Sequence, residues 1–400
     1  MADQTNNIFA PSDVEEVQQC IQAALSQQTP LEIVGGGSKR CYGRPVETTH
    51  QLNLSRIAGI VDYQPEELIL VVKPGTTLTE VQNVLAEKNQ VLAFDPPHWG
   101  EGATIGGTIA TNLSGPGRFR SGAARDHLLG FQAVDGRGEI IRGGGRVVKN
   151  VTGYDLSKAM CGSFGTLAVL TELVVKVLPR PEVERTVIVP GMTEAEGSAL
   201  MVEAAGSSHD VAALAHLPAG VELPKIVQGL ASKDAGMTLL KVEGPLPSVE
   251  HHCQGLQGLT NKQAVFLEDA DSQVLWDAIR ELKPLPVTSQ TNLWRISIPP
   301  TAAPDVWQEF RVLGATQGFM DWGGGLLWVL LPTSRRGQRT HEISQNHGGH
   351  ARLIRRGNDV YEGEVVFPPL DPVKEELHKN LKQAFDPAGI LNPGRMYPEL

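Results

Sequence analysis

The sequence is poor in cysteine, with four among 400 residues. They are Cys20, Cys41, Cys161 and Cys253, which lie far apart and form no C-x-x-C pair. This spacing excludes a disulfide framework and an iron–sulfur cluster ligated by this chain alone. We therefore expect a reduced, cytoplasmic setting.

Excess positive charge and long apolar runs are also lacking. The 35 Lys and Arg residues stand against 45 Asp and Glu residues, a formal net charge of −10. Such a chain has no positive electrostatic field that would attract a phosphate backbone, which argues against nucleic acid as a partner. Neither a signal peptide nor a membrane-spanning run is evident. We expect no direct membrane insertion, and any membrane association would come through a partner.

Hydrophobic residues make up 41% of the chain, enough to bury the cores of two domains. In residues 1–180, Ser12 with Glu15 predicts a capping box for an opening helix, and Thr77…Glu80 predicts a second helix that runs toward Asn89. The run 129–142, turned by D-G-R-G, predicts a β-hairpin. The sequence P-R-P at 179–181 marks the end of this first α+β domain.

Residues 181–370 alternate β-type runs with helical periods, including a helix over 304–317 and a β-type run over 352–354. The alternation predicts a second α+β domain, an open sheet with helices packed on one face. Residues 371–400 are distinct. A helix from Val373 to about Phe385 is followed by D-P-A-G-I-L-N-P-G-R, a tail too rich in Pro and Gly to form regular secondary structure. We expect another part of the protein to hold this tail in place.

Three glycine-rich segments lie in the first domain. In the first, a strand at 31–34 runs into V-G-G-G-S-K, where consecutive glycines let backbone N–H groups converge on an anion. The segment is neither a G-x-G-x-x-G nor a Walker A motif, and an ordinary strand-to-loop turn is the alternative. The other two, G-A-T-I-G-G-T-I-A-T-N at 102–112 and T-G-Y-D-L with G-S-F-G-T-L-A-V-L-T-E at 152–172, leave backbone open to a flat or phosphate-bearing ligand. Three such segments are hard to explain as coincidental turns.

In their order, these segments and the terminal D-P-A-G-I-L-N-P-G-R resemble the vanillyl-alcohol-oxidase/p-cresol-methylhydroxylase (PCMH-type) flavoprotein family. The resemblance covers residues 25 to 180 and the last fifteen or so. It implies a PCMH-type FAD-binding domain of two α+β subdomains over 1–180. It also implies an α+β cap domain over 181–370 and a C-terminal helix and tail over 371–400 that returns to the FAD domain.

The same resemblance implies which residues hold FAD. Val34–Lys39 would bind the pyrophosphate, and Thr104–Asn112 would line pyrophosphate and flavin. Gly165–Leu170 would meet the adenine-dinucleotide and ring edges, and Asn392 would lie beside the flavin. The implied residues are Val34, Gly35, Gly36, Gly37, Ser38, Lys39, Thr104, Ile105, Gly106, Gly107, Ala110, Thr111, Asn112, Gly165, Thr166, Leu167, Ala168, Val169, Leu170 and Asn392. The loop at 35–40 has no histidine and the segment 96–100 has no cysteine. The usual covalent attachments are therefore missing, and we expect non-covalent FAD.

Within this family, F-D-P-P-H-W-G, N-L-S-G-P-G-R-F-R-S-G and V-V-K-N-V-T-G-Y-D-L-S-K-A-M are similar to the smaller flavin subunits of glycolate oxidases. That similarity implies oxidation of glycolate or D-lactate, with electrons passed to an iron–sulfur subunit in a complex with a second FAD subunit. The metal-associated G-D-G-N-x-H type segment of the larger subunits is missing here. Two alternatives therefore stay open, a free-standing FAD-dependent 2-hydroxy-acid dehydrogenase and a non-catalytic, flavin-bound scaffold.

Candidate catalytic residues are His350 and Arg352, an imidazole that could take a hydroxyl proton beside a guanidinium that could hold a carboxylate. They lie with His347 in H-G-G-H-A-R, for which a solvated loop is the alternative. His98 is a third candidate, with a structural role as its alternative. No acid lies at a convincing spacing from these histidines, so we predict no metal site.

Two arginines lie between the second and third glycine-rich segments. Arg118 and Arg120 could neutralise phosphate or reduced-flavin charge, although surface arginines are the commoner case. The run Arg335, Arg336 and Arg339 is most simply the polar face of a helix.

Overall fold

The computed structural model of the protein describes residues 7–146, 154–230, 234–334, 337–357 and 365–400. They form two compact units. The first comprises Met1–Ser114, Gly122–Arg180 and Leu370–Leu400, and the second comprises Gly115–Ser121 and Pro181–Pro369. Residues 147–153, in which the third glycine-rich segment begins, lie outside the described residues, as do Arg335 and Arg336.

The described residues of the first unit form three sheets. Parallel strands Asn7–Phe9, His50–Asn53 and Glu32–Val34 form one of them, in that order. An antiparallel sheet has the order Ile60–Gln64, Ile69–Val72, Ala168–Lys176, Leu128–Asp135, Ile140–Gly144. Leu178–Pro179 pairs with Gln90–Val91. The helices of this unit are Val14–Gln27, Leu78–Ala86, Ile105–Thr111, Ala124–His127, Leu156–Met160 and Pro372–Phe385, with a 3-10 turn at Pro65–Glu67.

The N-cap of the opening helix is Asp13, one residue later than the predicted Ser12. The Asp13 carboxylate accepts the Glu16 N–H at 2.8 Å, while the backbone and hydroxyl of Ser12 donate to the Glu16 carboxylate. The Ser12–Glu15 capping box is therefore wrong, because the carboxylate of Asp13 is placed to satisfy the free N–H group. Val17 and Ile21 of this helix are fully buried. They pack in one cluster with Leu391 of the C-terminal tail.

Two other predictions for this unit are confirmed. Thr77 accepts the Glu80 N–H at 3.1 Å, although the helix it caps ends at Ala86 rather than near Asn89. The predicted hairpin is formed by Leu128–Asp135 and Ile140–Gly144. The helix Ile105–Thr111 was not predicted, because two of its seven residues are glycines, which are poor helix formers.

The second unit is built on an open antiparallel sheet, which confirms the predicted α+β class. The strand order is Val265–Glu268, Val183–Met192, Gly236–Gly244, Val211–Leu217, Gln317–Asp321, Leu326–Pro332, Thr291–Ser297, His350–Arg355. The helices are Arg118–Ser121, Glu194–Gly206, Leu246–Gln257, Asp269–Arg280, Ala303–Leu313 and Gly337–Asn346, with 3-10 turns at Lys225–Leu230, Pro300–Ala302 and Trp322–Gly324.

One helix of this unit is shorter than predicted. The helix predicted over 304–317 ends at Leu313, and Gln317 begins a strand. Gly314 adopts φ 108° and its N–H binds the carbonyl groups of Arg311 and Phe310, which closes the helix with a left-handed cap. No helix among the described residues has both the length and the apolar character to cross a membrane.

Candidate functional site

The first two glycine-rich segments of the first unit pack against each other. A Cβ atom at Gly36 would lie 1.6 Å from the carbonyl oxygen of Gly102, and one at Gly35 would lie 2.6 Å from the Thr104 hydroxyl oxygen. The first distance is impossible for a side chain because the atom it meets belongs to the backbone, whereas at Gly35 the Thr104 side chain would have to shift. Glycine is therefore required at position 36, where backbone approaches backbone, as expected of a site in which main-chain groups meet a ligand.

The Thr104 side chain caps the helix of the second segment. Its hydroxyl accepts the Gly107 N–H at 3.2 Å. A Cβ atom at Gly106 would lie 2.5 Å from the Pro74 Cβ. The helix Ile105–Thr111 thus lies directly on the neighbouring loop, with its small residues beside the first segment.

Two adjoining cavities open where these segments meet, and the space in them, including solvent at their mouths, is about 540 Å³ and about 500 Å³. The first is lined by the glycine loop, by the cationic residues Lys39, Arg40 and Arg395, and by Glu32, whose carboxylate pairs with Arg40 at 2.6 Å. The second is lined mainly by small and apolar residues, including Leu54 and Leu170. This division suits a ligand with a charged phosphate part and a flat apolar part, which is the chemistry of FAD.

Most of the predicted cofactor residues line the two cavities. They are Val34, Gly35, Gly36, Gly37, Ser38, Lys39, Thr104, Gly106, Gly107, Ala110, Thr111, Gly165, Ala168, Leu170 and Asn392. The side chains of the other five serve elsewhere. Ile105, Leu167 and Val169 pack in the hydrophobic core, Thr166 donates to the Ser163 carbonyl at 2.7 Å, and Asn112 accepts the Arg125 N–H at 3.2 Å.

The C-terminal tail contributes more to this site than the sequence predicted. Asn392 is 3% exposed and bridges backbone groups of Ile33 and Phe164. Arg395 donates to the carbonyl groups of Arg40, Tyr42 and Arg44 at 2.7 to 3.0 Å. The position of Arg395 in the terminal P-G-R motif was the only signal for it, because its partners lie about 350 residues earlier.

The catalytic candidate His98 belongs to the first unit. Its ring Nε2 lies 3.1 Å from the Gln82 Oε1, and its carbonyl accepts from the Lys39 ammonium at 3.3 Å. His98 does not line either cavity. These contacts favour the structural alternative for this residue.

His350 and Arg352 lie in the second unit on the strand His350–Arg355 rather than in a loop, although His350 itself is exposed to solvent at the start of the strand. The observed strand is therefore longer at both ends than the strand predicted over 352–354. Desolvation, and then the charges of Arg352, Arg295 and Arg118, lower the pKa of His350 to about 4. The imidazole is thus neutral near pH 7 and can accept a proton. His347 is separate from this pair, since its ring binds the Glu309 carboxylate at 2.7 Å.

Two residues near this pair were not predicted as site residues. Arg295 lies on the strand Thr291–Ser297 directly opposite Arg352, and it is 7% exposed. Trp322 follows the strand Gln317–Asp321, and the guanidinium groups of Arg295 and Arg118 lie 4.8 and 4.2 Å from its ring centroid. Local sequence carries no signal for this arrangement, because the three residues are far apart in the chain.

Within the part of the chain that the structure describes, no group of three or more His, Cys, Asp or Glu side chains is placed to hold a metal ion.

Similar proteins agree with the geometry of the first unit. Residues 6–144 match the family described as "FAD binding domain", and residues 369–396 match "FAD linked oxidases, C-terminal domain". Glycolate oxidase subunit GlcE of Escherichia coli (strain K12) is 37% identical over 381 residues, which cover 95% of this chain and 96% of that protein. D-lactate dehydrogenase of Archaeoglobus fulgidus is 26% identical over 431 residues, and the match covers 98% of this chain and 91% of that protein.

The fold is also that of a solved structure. p-Cresol methylhydroxylase with substrate bound matches with a TM-score of 0.73 and 15% identity, covering 100% of this chain and 90% of that chain. The two-part cavity and the similarity over nearly the whole chain both indicate an FAD-binding protein. This chain belongs to the FAD-linked oxidase family that includes glycolate oxidase subunit GlcE, and it is an FAD-dependent oxidoreductase with a PCMH-type fold.

Proposed function

We propose that this oxidoreductase is an FAD-binding subunit of a glycolate-oxidase-like complex. It would oxidise glycolate or D-lactate to the 2-oxo acid and pass the electrons to an iron–sulfur subunit, in a complex that holds a second FAD subunit. The observation that carries the proposal is the two-part cavity, lined by glycine loops and cations on one side and apolar residues on the other. The names of the two relatives support the substrate class.

In this proposal FAD is held without a covalent bond. Backbone N–H groups of Gly35–Ser38 would face the pyrophosphate, whose negative charge Lys39 and Arg395 would balance. Leu54 and Leu170 would cover apolar ring surface. The loop 35–40 contains no histidine and the segment 96–100 no cysteine, so neither offers the usual attachment.

Bound FAD supplies the two-electron acceptor for oxidation of the substrate carbon. The chain itself has to orient the acid and remove the hydroxyl proton. We assign proton removal to His350, which is neutral at pH 7, and carboxylate binding to Arg352 beside it. His98 is left without a chemical role, because its ring binds Gln82.

The test is anaerobic addition of glycolate or D-lactate to the purified, FAD-loaded chain while the flavin absorbance is followed. Rapid bleaching, with the electrons then delivered to an added iron–sulfur partner, supports the proposal. Turnover with an artificial acceptor and no response to such a partner favours the free-standing dehydrogenase. A bound but unreactive flavin, alone and in the complex, favours the scaffold and overturns the proposal.

A further inference from the structure

We propose that Glu32 is a specificity residue of the charged cavity in the first unit. By pairing with Arg40, it favours the diphosphate of FAD over nucleotides that end in a free phosphate, such as ADP and ATP. FAD contains an adenosine diphosphate part, so a site that fits this part could also admit those nucleotides. The inference concerns cofactor binding and goes beyond the proposed oxidation, on which it does not depend.

Glu32 lies where a strand of the cofactor site meets the glycine loop. The strand Glu32–Val34 runs directly into Gly35–Gly37, and Glu32 is among the residues that line the cavity. Its side chain is 14% exposed, so its charge is screened less than that of a surface residue. Among the described residues that line this cavity, no other has an acidic side chain. Glu32 therefore opposes the binding of an anion that the glycine loop favours.

The carboxylate of Glu32 is already satisfied by the protein. Arg40 donates from Nε to Oε1 at 2.9 Å and from its terminal nitrogen to Oε2 at 2.6 Å, a bidentate pair. The Gln51 amide also donates to Oε2, at 3.2 Å. Both carboxylate oxygens thus accept hydrogen bonds from neighbouring side chains. This geometry favours a role through charge over a role as acceptor for the hydroxyl groups of a ribose.

The pair decides how much positive charge a nucleotide meets from Arg40. Arg40 lines the same cavity, and its side chain is 57% exposed. Because the two opposite charges lie in contact, their fields largely cancel at a ligand in the cavity. Glutamine at position 32 has nearly the same shape but no charge, so E32Q would present the ligand with the full charge of Arg40. Glu32 therefore limits the positive charge of the cavity.

FAD and the competing nucleotides differ in charge. The terminal phosphate of ADP loses a second proton with a pKa of about 6, so at neutral pH ADP has about one more negative charge than the diphosphate of FAD. ATP has a longer phosphate chain and a larger negative charge. The attraction of a positive charge for a ligand grows with the charge of that ligand. A cavity with less positive charge therefore disfavours ADP and ATP more than it disfavours FAD.

The experiment measures nucleotide binding to the FAD-free, full-length chain by calorimetry at low ionic strength without magnesium. FAD, ADP and ATP are the probes, and the Kd of each is obtained for the wild type, E32Q, R40Q and the double variant E32Q/R40Q. E375Q is the matched control, because it removes one negative charge of the same unit from an exposed ion pair with Lys379. Thermal unfolding of each variant checks the fold.

We expect E32Q to lower the ratio of the Kd for ADP to the Kd for FAD by about two- to five-fold, as for unit charges several ångströms apart in a solvated cavity. The ratio for ATP should fall further, and R40Q should raise both ratios. The double variant should return them to within about two-fold of the wild type, because its cavity has the wild-type net charge. E375Q should leave them unchanged, and added salt should shrink the effect of E32Q.

Three results would overturn this role of Glu32. Unchanged ratios in E32Q, or no binding of ADP and ATP by either the wild type or E32Q, would show that another feature excludes these nucleotides. Equal weakening of all three ligands in E32Q would make the carboxylate an acceptor for ribose hydroxyl groups. Ratios in the double variant that stay at the E32Q values would assign the effect to shape rather than charge. Because none of these measurements involves substrate oxidation, failure of the proposed function would leave them unaffected.

Discussion

The side-chain amide of Asn392 donates a hydrogen bond of 2.7 Å to the carbonyl oxygen of Phe164, 228 positions earlier in the chain. The same amide oxygen accepts the Ile33 N–H at 2.8 Å. Ile33 and Phe164 both line the two cavities. Asn392 therefore acts as a positioning residue that sets the spacing of two cofactor segments.

Replacing this amide should weaken cofactor binding. N392A leaves the buried Phe164 carbonyl without its partner, at a cost of about 1–3 kcal/mol, and the partly buried Ile33 N–H without its partner at a smaller cost. We expect the Kd for FAD to rise by about 10-fold or more. Titration of the apoprotein with FAD, monitored by flavin fluorescence, measures this Kd. N346A is the matched control because Asn346 is exposed at a helix end, and equal Kd values for both variants would contradict the role of Asn392.

A methyl group at Gly36 should block the site. The added Cβ would lie 1.6 Å from the Gly102 carbonyl oxygen, so G36A must push the two glycine segments apart. We expect G36A to purify without yellow flavin absorbance. The control G206A adds a methyl group at a position where no described atom lies within 4 Å. Normal flavin content in G36A would show that the segments separate without cost.

The buried ion pair of the C-terminal helix should stabilise the first unit. The Lys382 ammonium binds the Asp386 carboxylate and the carbonyl oxygens of Thr166 and Leu391, each at 2.8 Å. K382M leaves a buried carboxylate without its cation, so we expect a loss of about 3–5 kcal/mol in denaturant unfolding. K379M, which removes an exposed ion pair screened by solvent, should lose far less stability. If both variants unfold alike, the buried pair contributes no stability.

Acid should destabilise the second unit through His216. This residue is fully buried, and burial lowers its pKa to about 4, against a smaller opposing effect of Glu194 and Glu196. Below pH 6.5 the unfolded chain binds a proton that the folded chain does not, so the free energy of unfolding falls as pH drops toward 4. The loss reaches about 3 kcal/mol. H216Q should show a shallower fall between pH 7 and 4.5, and parallel curves would exclude His216 as the cause.

Removal of the proposed proton acceptor should slow the reduction of the flavin. We expect H350Q to lower the anaerobic bleaching rate by about 100-fold or more, as for loss of a general base, while its Kd for FAD stays unchanged. H347Q is the control, since His347 binds Glu309 away from the arginines. Wild-type bleaching by H350Q would assign the proton to another group.

Local features of this chain could be predicted because they depend on neighbouring residues. The cap at Thr77, the hairpin Leu128–Asp135 with Ile140–Gly144 and the glycine loop each result from a few adjacent side chains and backbone angles. The same reasoning failed where a nearby residue competed, as when Asp13 took the cap expected of Ser12. It also failed where Gly314 ended a helix early.

The α+β class and the glycine-rich loops follow from the amino-acid sequence, since periodicity and glycine content are properties of short segments. That Asn392 bridges Ile33 and Phe164, and that Arg118 and Arg295 both pack on Trp322, depends on the folded arrangement of distant segments. Both arrangements have the same cause. Hydrogen bonds and ring contacts act over a few ångströms, and folding brings together residues that lie tens to hundreds of positions apart.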